Sequence, residues 1–318
     1  MAKILVTGGA GYLGSVLCEV LVNKGHHVVA LDNLMYGQTN PLFNLYHTGK
    51  IEFVYGDVTN KEFMRDLIKK GNFDFVIPLA ALVGFQLCEQ KPEYSWMVNA
   101  HAIETIVDSV GKDTGILMPM TNSGYGSTDG LKECTEDQEL KPISVYGKSK
   151  CAAEAYIRKH AKKWIIFRLA TLYGTSLRQR TDLLVNNFVW RAMHDRNLTL
   201  YERHFKRNFV HVRDAANAFA YAIENFNYMK NEVYNLGHPN FNISKLELAN
   251  MIKKELPEIS ITIGKGNDMD KRNYIVSNRK IMLRGFKWEY PLDRGIRELI
   301  AGYRAMKDLR YKNYEEMG

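Results

Sequence analysis

Two residues four apart, Tyr146 and Lys150 in Tyr146-Gly147-Lys148-Ser149-Lys150, carry a strong chemical signal in this 318-residue chain. On a helix that spacing sets the two side chains one above the other on one face. A tyrosine hydroxyl, with an ordinary pKa of about 10, is a poor base at neutral pH; a neighbouring ammonium favours the phenolate. The pattern gains its meaning from what lies upstream. Met118-Pro119-Met120-Thr121-Asn122-Ser123-Gly124-Tyr125-Gly126 closes an apolar run, which puts Thr121 at the C-terminal edge of a strand, where open α/β sheets carry chemistry. Its hydroxyl there shares the proton handled by Tyr146, or bonds to backbone.

Near the start, Thr7-Gly8-Gly9-Ala10-Gly11-Tyr12-Leu13-Gly14 follows the first strand and opens the first helix. Gly8, Gly11 and Gly14 allow a tight turn, close backbone approach to a pyrophosphate and close helix–sheet packing, while Tyr12 and Leu13 lie in the phosphate-facing turn. The second strand ends in Leu31-Asp32-Asn33. A carboxylate there accepts from the adenosine ribose hydroxyls and repels a 2′-phosphate, so the expected cofactor is NAD rather than NADP. After the third strand, Asp57 and Val58 of Gly56-Asp57-Val58 meet the adenine ring, or Asp57 caps the next helix. Bound NAD completes the role of the pair: its positive nicotinamide ring also favours the Tyr146 phenolate, and Lys150 holds the nicotinamide ribose.

The elements that must position these residues alternate. Lys3–Thr7, His27–Leu31, Ile51–Tyr55, Phe73–Leu79, Ile116–Thr121 and Trp164–Leu169 read as strands too apolar to be half-exposed; Ser15–Lys24, Lys61–Lys70, Pro92–Val110 and Val145–Lys162 read as helices between them. Such alternation predicts an α/β fold, a doubly wound parallel Rossmann sheet covered on both faces. Past residue 172 come a helix at Leu183–His194, a strand at Asn208–Val212, a helix at Asp214–Glu224, a helix at Ser244–Glu255, a β-like Ile259–Ile263, a terminal helix at Pro291–Lys307 and a frayed tail at Tyr311–Gly318. Residues 207–236 look like a return to the first domain. The expected division is 1–171 with 207–236 for NAD, and 172–206 with 237–318 as a smaller α/β substrate domain.

Composition narrows the class. At 46% hydrophobic and 25% charged the chain is neither disordered nor fibrous. No apolar run approaches a membrane span or a signal peptide, so a cytoplasmic protein is expected. The net charge of +8 is spread along the chain without a dense basic run, which argues against nucleic acid and suits a pyrophosphate-bearing substrate. Cys18, Cys88, Cys134 and Cys151 are scattered, without a CxxC, and read as free thiols; no metal site is expected.

Together TGGAGYLG, Asp32, the GDV segment, Leu79-Ala80-Ala81, Thr121 with Tyr125-Gly126, and YGKSK make the chain resemble the extended short-chain dehydrogenase/reductase family, whose members include nucleotide-sugar epimerases, 4,6-dehydratases and 4-dehydrogenases. Phe167-Arg168-Leu169-Ala170-Thr171-Leu172-Tyr173-Gly174 and Arg207-Asn208-Phe209-Val210-His211-Val212-Arg213-Asp214 extend the likeness through the chain. The resemblance implies that Leu79, Ala80 and Ala81 line the cofactor and that Asn99 lies near the catalytic lysine. It implies that Asn187, Arg207 and Arg272 contact the nucleotide diphosphate, as paired guanidinium donors suit. It also implies a homodimer in which Pro92–Val110 and Val145–Lys162 of each subunit form a four-helix bundle.

The departures from the family carry information. Its dehydratases have Asp-Glu after the catalytic Thr; here Asn122 and Ser123 stand there and cannot do carboxylate chemistry. Its GDP-mannose 3,5-epimerases have a cysteine where Ser123 stands, and the usual asparagine after the catalytic helix is Thr171. Thr121–Gly126, with Arg178-Gln179-Arg180-Thr181-Asp182-Leu183-Leu184-Val185-Asn186, is most similar to the GDP-D-glycero-D-manno-heptose 4-dehydrogenases, which places Asn122, Ser123 and Arg180 at the substrate. That subgroup oxidises C4 to a ketone, with NADH recycled by an oxo-acid such as 2-oxoglutarate. A 4-epimerase is the alternative. A non-catalytic nucleotide-binding sensor is a second, but it would be expected to lose Tyr146 or Lys150, and both are present.

Overall fold

The computed structural model describes residues 1–37, 40–265 and 272–306. The tail expected to fray and Lys307 of the expected last helix lie outside them. Seven strands form one sheet: β1 (Lys3–Thr7), β2 (His27–Asp32), β3 (Ile51–Tyr55), β4 (Phe75–Pro78), β5 (Gly115–Thr121), β6 (Trp164–Leu169) and β7 (Glu232–Leu236). Their order is β7-β6-β5-β4-β1-β2-β3, and every neighbouring pair is parallel. This is the Rossmann sheet that the alternation predicts.

The longer helices are α1 (Tyr12–Asn23), α2 (Lys61–Gly71), α3 (Ala102–Ser109), α4 (Val145–His160), α5 (Leu184–His194), α6 (Val212–Glu224), α7 (Lys245–Glu255) and α8 (Leu292–Tyr303). Strand residues alternate between two apolar layers. Ile4, Val6 and Ala30 pack on α1 and α6, while Leu5, Val29 and Leu31 pack toward α2, α3 and α4. The edge strand β3 departs from the expectation of two covered faces: Glu52 is exposed and Tyr55 is 71% exposed.

A third apolar cluster joins α5, α7 and α8 with the parallel pair Asn197–Leu200 and Ser260–Ile263. The strand Lys206–His211 lies outside the large sheet, between Thr171–Tyr173 and Asn242–Ser244 in a small sheet of its own. Two helices differ from the sequence reading in ways that matter for the site. α1 begins at Tyr12, three residues early, because Gly14 packs inside the helix against Gly8 and Gly9. The stretch expected as one helix from Pro92 splits into Pro92–Trp96, a π turn at Met97–His101, and α3. Such single π turns recur at functional sites.

Candidate active site

A cavity of about 310 Å³ opens at the C-terminal edge of the sheet, at β1 and β4, where the strand order reverses. The glycine turn forms its floor. Gly8 and Gly9 both donate backbone N–H to the Leu31 carbonyl, at 2.7 and 3.2 Å. A Cβ on Gly8, whose φ is +70°, would stand 2.6 Å from the Ala80 nitrogen, and one on Gly14 would stand 2.1 Å from the Gly8 oxygen. Only bare backbone fits at either place. Gly8, Gly11, Tyr12, Leu13 and Gly14 all face the cavity, so the first turn of α1 offers its free N–H groups to whatever anion lies there.

At one end Asp32 lines the cavity, its carboxylate accepting from Ala10 and Leu34 backbone N–H at 3.0 and 2.9 Å. Burial raises its pKa; those bonds and the Arg178 guanidinium pull the other way without cancelling it. Asn33 donates to Asp57 at 2.9 Å. Asp57 does not cap α2, since Asn60 does so; it accepts instead from the backbone and hydroxyl of Thr59, at 2.8 and 2.7 Å. Burial works against its charge, but the bonds from Thr59, Asn33 and Tyr94 win and lower its pKa. Asn33, Asp57, Val58, Leu79, Ala80 and Ala81 all line this end. The bare glycine cradle beside a carboxylate with lone pairs to spare fits NAD.

The other end holds the chemistry. Tyr146 and Lys150 enter from α4, whose first turn is capped by Ser144 accepting from Gly147 N–H at 3.1 Å. Thr121, at the end of β5, caps a single 3-10 turn, Asn122–Tyr125, by accepting from Ser123 N–H at 3.1 Å. Burial pushes Tyr146 up to about 12, helped by Cys88; a hydrogen bond with Thr121 and the charges of Arg180 and Arg272 pull it back. The balance differs from the one expected from sequence: burial brings Lys150 down to about 7, so its ammonium is itself disfavoured there. Thr121 donates to the Ser123 hydroxyl at 3.1 Å, and Arg272 donates to the same hydroxyl. Arg180 lines the cavity, its Nε 3.1 Å from Asp182 Oδ1.

Four expected residues lie off the wall. Asn99, in the π turn, donates to Ser149 at 3.3 Å and brackets Leu82 with two bonds of 2.9 Å, one residue from Lys150 rather than on it. Asn122 is fully buried with neither amide atom hydrogen-bonded. Arg207 stacks behind Tyr274, 5.4 Å from the ring that does face the cavity. Asn187 is only half-buried; its neighbour Asn186 turns inward instead, accepting from Gly174 N–H at 3.1 Å and donating to the Arg180 carbonyl at 2.8 Å. Sequence reasoning missed Asn186, and also Arg178, whose guanidinium lies 4.4 Å above the Tyr36 ring inside the cavity. The only signal for Arg178 was its place in the stretch before α5.

An NAD cradle on a Rossmann sheet, with a tyrosine–lysine pair and a threonine at its far end, is the outline of a nicotinamide-dependent enzyme. Residues 4–237 match the NAD dependent epimerase/dehydratase family, and the chain belongs to it. A putative UDP-glucose 4-epimerase of Methanocaldococcus jannaschii is 28% identical over 93% of this chain and 97% of its own. Human dTDP-D-glucose 4,6-dehydratase is 24% identical over 95% and 90%. Among solved structures, MoeE5 in complex with UDP-glucose and NAD has a TM-score of 0.79 at 26% identity, covering 95% of this chain and 98% of that one. NAD is the cofactor. Among the described residues no helix is long and apolar enough to cross a membrane, no cluster of His, Cys, Asp and Glu could hold a metal, and all four cysteines are free.

Proposed function

We propose that the protein oxidises C4 of a nucleotide-linked sugar to a 4-keto product. The observation that carries this reading is that Thr121, Tyr146 and Lys150 share an end of the cavity whose described lining has no carboxylate; the acidic lining residues, Asp32 and Asp57, follow β2 and β3 at the opposite end. Tyr146 takes the C4 hydroxyl proton, with Thr121 bridging substrate and phenolate. Lys150 holds the ribose of the cofactor. The chemistry that NAD supplies when bound is acceptance of hydride from C4. Arg180 and Arg272 meet the substrate's diphosphate, with Arg207 behind Tyr274 and Asn187 on α5 supporting that face; Ser123 and the adjoining Asn122 meet the sugar. The sugar nucleotide is GDP-D-glycero-D-manno-heptose by the likeness of the 121–126 and 178–186 segments, and an oxo-acid such as 2-oxoglutarate restores the oxidised cofactor.

The domain division belongs to the same reading: 1–171 with 207–236 for NAD, 172–206 with 237–318 for the sugar nucleotide. The separate apolar cluster of α5, α7 and α8 supports it. A cytoplasmic homodimer through the helices at 92–110 and 145–162 completes it; Met97, 47% exposed on the first of these, suits a covered face.

A nucleotide-sugar 4-epimerase is the second reading, favoured by the archaeal relative. Incubation with GDP-D-glycero-D-manno-heptose, with and without 2-oxoglutarate, separates the two by mass spectrometry. Loss of two hydrogens, with turnover sustained by the oxo-acid, is the expected result. An unchanged mass with altered NMR supports the epimerase, and loss of water overturns the assignment of Asn122 and Ser123.

A further inference from the structure

Behind the cavity, one guanidinium joins the two segments that carry the proposed chemistry. Arg168, on β6, is 1% exposed. Its Nε and Nη2 donate to the two carboxylate oxygens of Glu154 at 3.2 and 2.6 Å, and its Nη1 donates to the Tyr125 hydroxyl and the Glu136 carbonyl, both at 3.0 Å. Glu154 is 2% exposed and lies on α4 four residues after Lys150 and eight after Tyr146, along one helix face. Tyr125, also 2% exposed, closes the 3-10 turn that Thr121 caps, and it donates onward to Asn235 of β7 at 2.6 Å. A fully buried ion pair is a poor way to gain stability, since desolvation offsets most of the attraction. As a rigid planar fork it is a good way to fix a distance.

We propose that Arg168 is a positioning residue which, by gripping Glu154 and Tyr125 together, sets how Thr121 and Tyr146 stand to each other on the cavity wall. The inference rests on Tyr146 being the base. Without the fork, α4 and the turn after β5 are still packed, but among the described residues nothing else polar holds their separation from behind. Thr121 then contributes less to favouring the phenolate, whose burial already opposes it.

The test compares four forms of the NAD-loaded protein, with GDP-D-glycero-D-manno-heptose and 2-oxoglutarate as probes. In Arg168→Met/Glu154→Leu both charges leave together, so no unpaired ion is buried. Tyr125→Phe keeps the ion pair and removes the link to the turn, together with the Tyr125 bonds to Asn235 and the Thr135 carbonyl. The double variant should unfold cooperatively and keep its NAD and its KM. Its kcat should fall on the order of tenfold to a hundredfold, the scale of a misplacement near one ångström. The ascending limb of its kcat–pH profile should move to higher pH. Tyr125→Phe should show the same shift with a smaller fall, and it decides alone if the double variant does not fold. Wild-type kcat and an unmoved pH limb in either folded variant overturn the inference. Tyr146→Phe is the control: if it retains turnover, the proposed function fails and not the fork.

Discussion

At the scale of single residues, the site is a contest between burial and a few directed bonds. Burial pushes Tyr146 up to about 12 even with Thr121, Arg180 and Arg272 pulling it back. Tyr146→Phe should therefore keep the fold and the bound NAD yet lose roughly 10²–10⁴-fold in turnover, read from steady-state kinetics. Thr121→Ala should cost less. Because the Thr121 bond lowers the tyrosine pKa, its loss should move the rising limb of activity to higher pH, and an unmoved limb would sink that role. Arg272→Ala should raise KM on the order of tenfold to a hundredfold, the worth of a charge-assisted bond of about 1.5–3 kcal/mol, while NAD titrations stay unchanged. The glycines, Asp32, Tyr146 and Lys150 were legible because each depends on local spacing. Asn186 in place of Asn187 was not, since one residue of helix phase, set by where α5 starts, decides which amide faces inward. Arg178 over Tyr36 joins segments far apart in sequence, so its quoted stretch alone did not show that it faces the cavity.

Elements show where a single atom changes everything. Gly14 lies inside α1, so Gly14→Ala drives a methyl group into the Gly8 carbonyl and must displace the turn that cradles the pyrophosphate. Loss of NAD retention together with a lower melting temperature is the expected outcome, measured by nucleotide extraction and thermal unfolding. The last helix gives a pH prediction. On α8, burial raises the Glu298 carboxyl, but the bonds from His211 (3.1 Å) and from Thr175 outweigh it and bring it to about 2. A depressed folded-state pKa contributes stability that is complete above the ordinary carboxyl range and is lost as pH falls through about 2. Glu298→Gln should thus destabilise at neutral pH and flatten the acid limb of a urea-midpoint profile; equal midpoints at every pH would refute the linkage. The strands of the large sheet were legible because long apolar runs bounded by turns admit little else. The short strands at 171–173, 242–244 and 275–276 were not, for pairings of two or three residues are set by tertiary contacts. The π turn at Met97–His101 also gave no sign within an uninterrupted helical pattern.

Across the whole molecule, the sheet was readable as parallel and doubly wound, and residues 207–236 read as a return to it, but β7 was not read as its edge strand, because it follows α5 and a small sheet that pack elsewhere. The wall opposite the glycine cradle was likewise hidden, because it is drawn from residues 169–183 and 272–274 at once. That placement of β7 has a consequence for how the protein comes to exist. On the ribosome, β6 is complete at Leu169, yet among the described residues its outer edge pairs only with Glu232–Leu236. For the time needed to make the intervening chain, a buried-type strand, Trp164-Ile165-Ile166-Phe167, presents unpaired backbone and apolar side chains. A chaperone that binds extended apolar segments would find its best target there. Chains released before Leu236 should be aggregation-prone, however well the cofactor half has been specified.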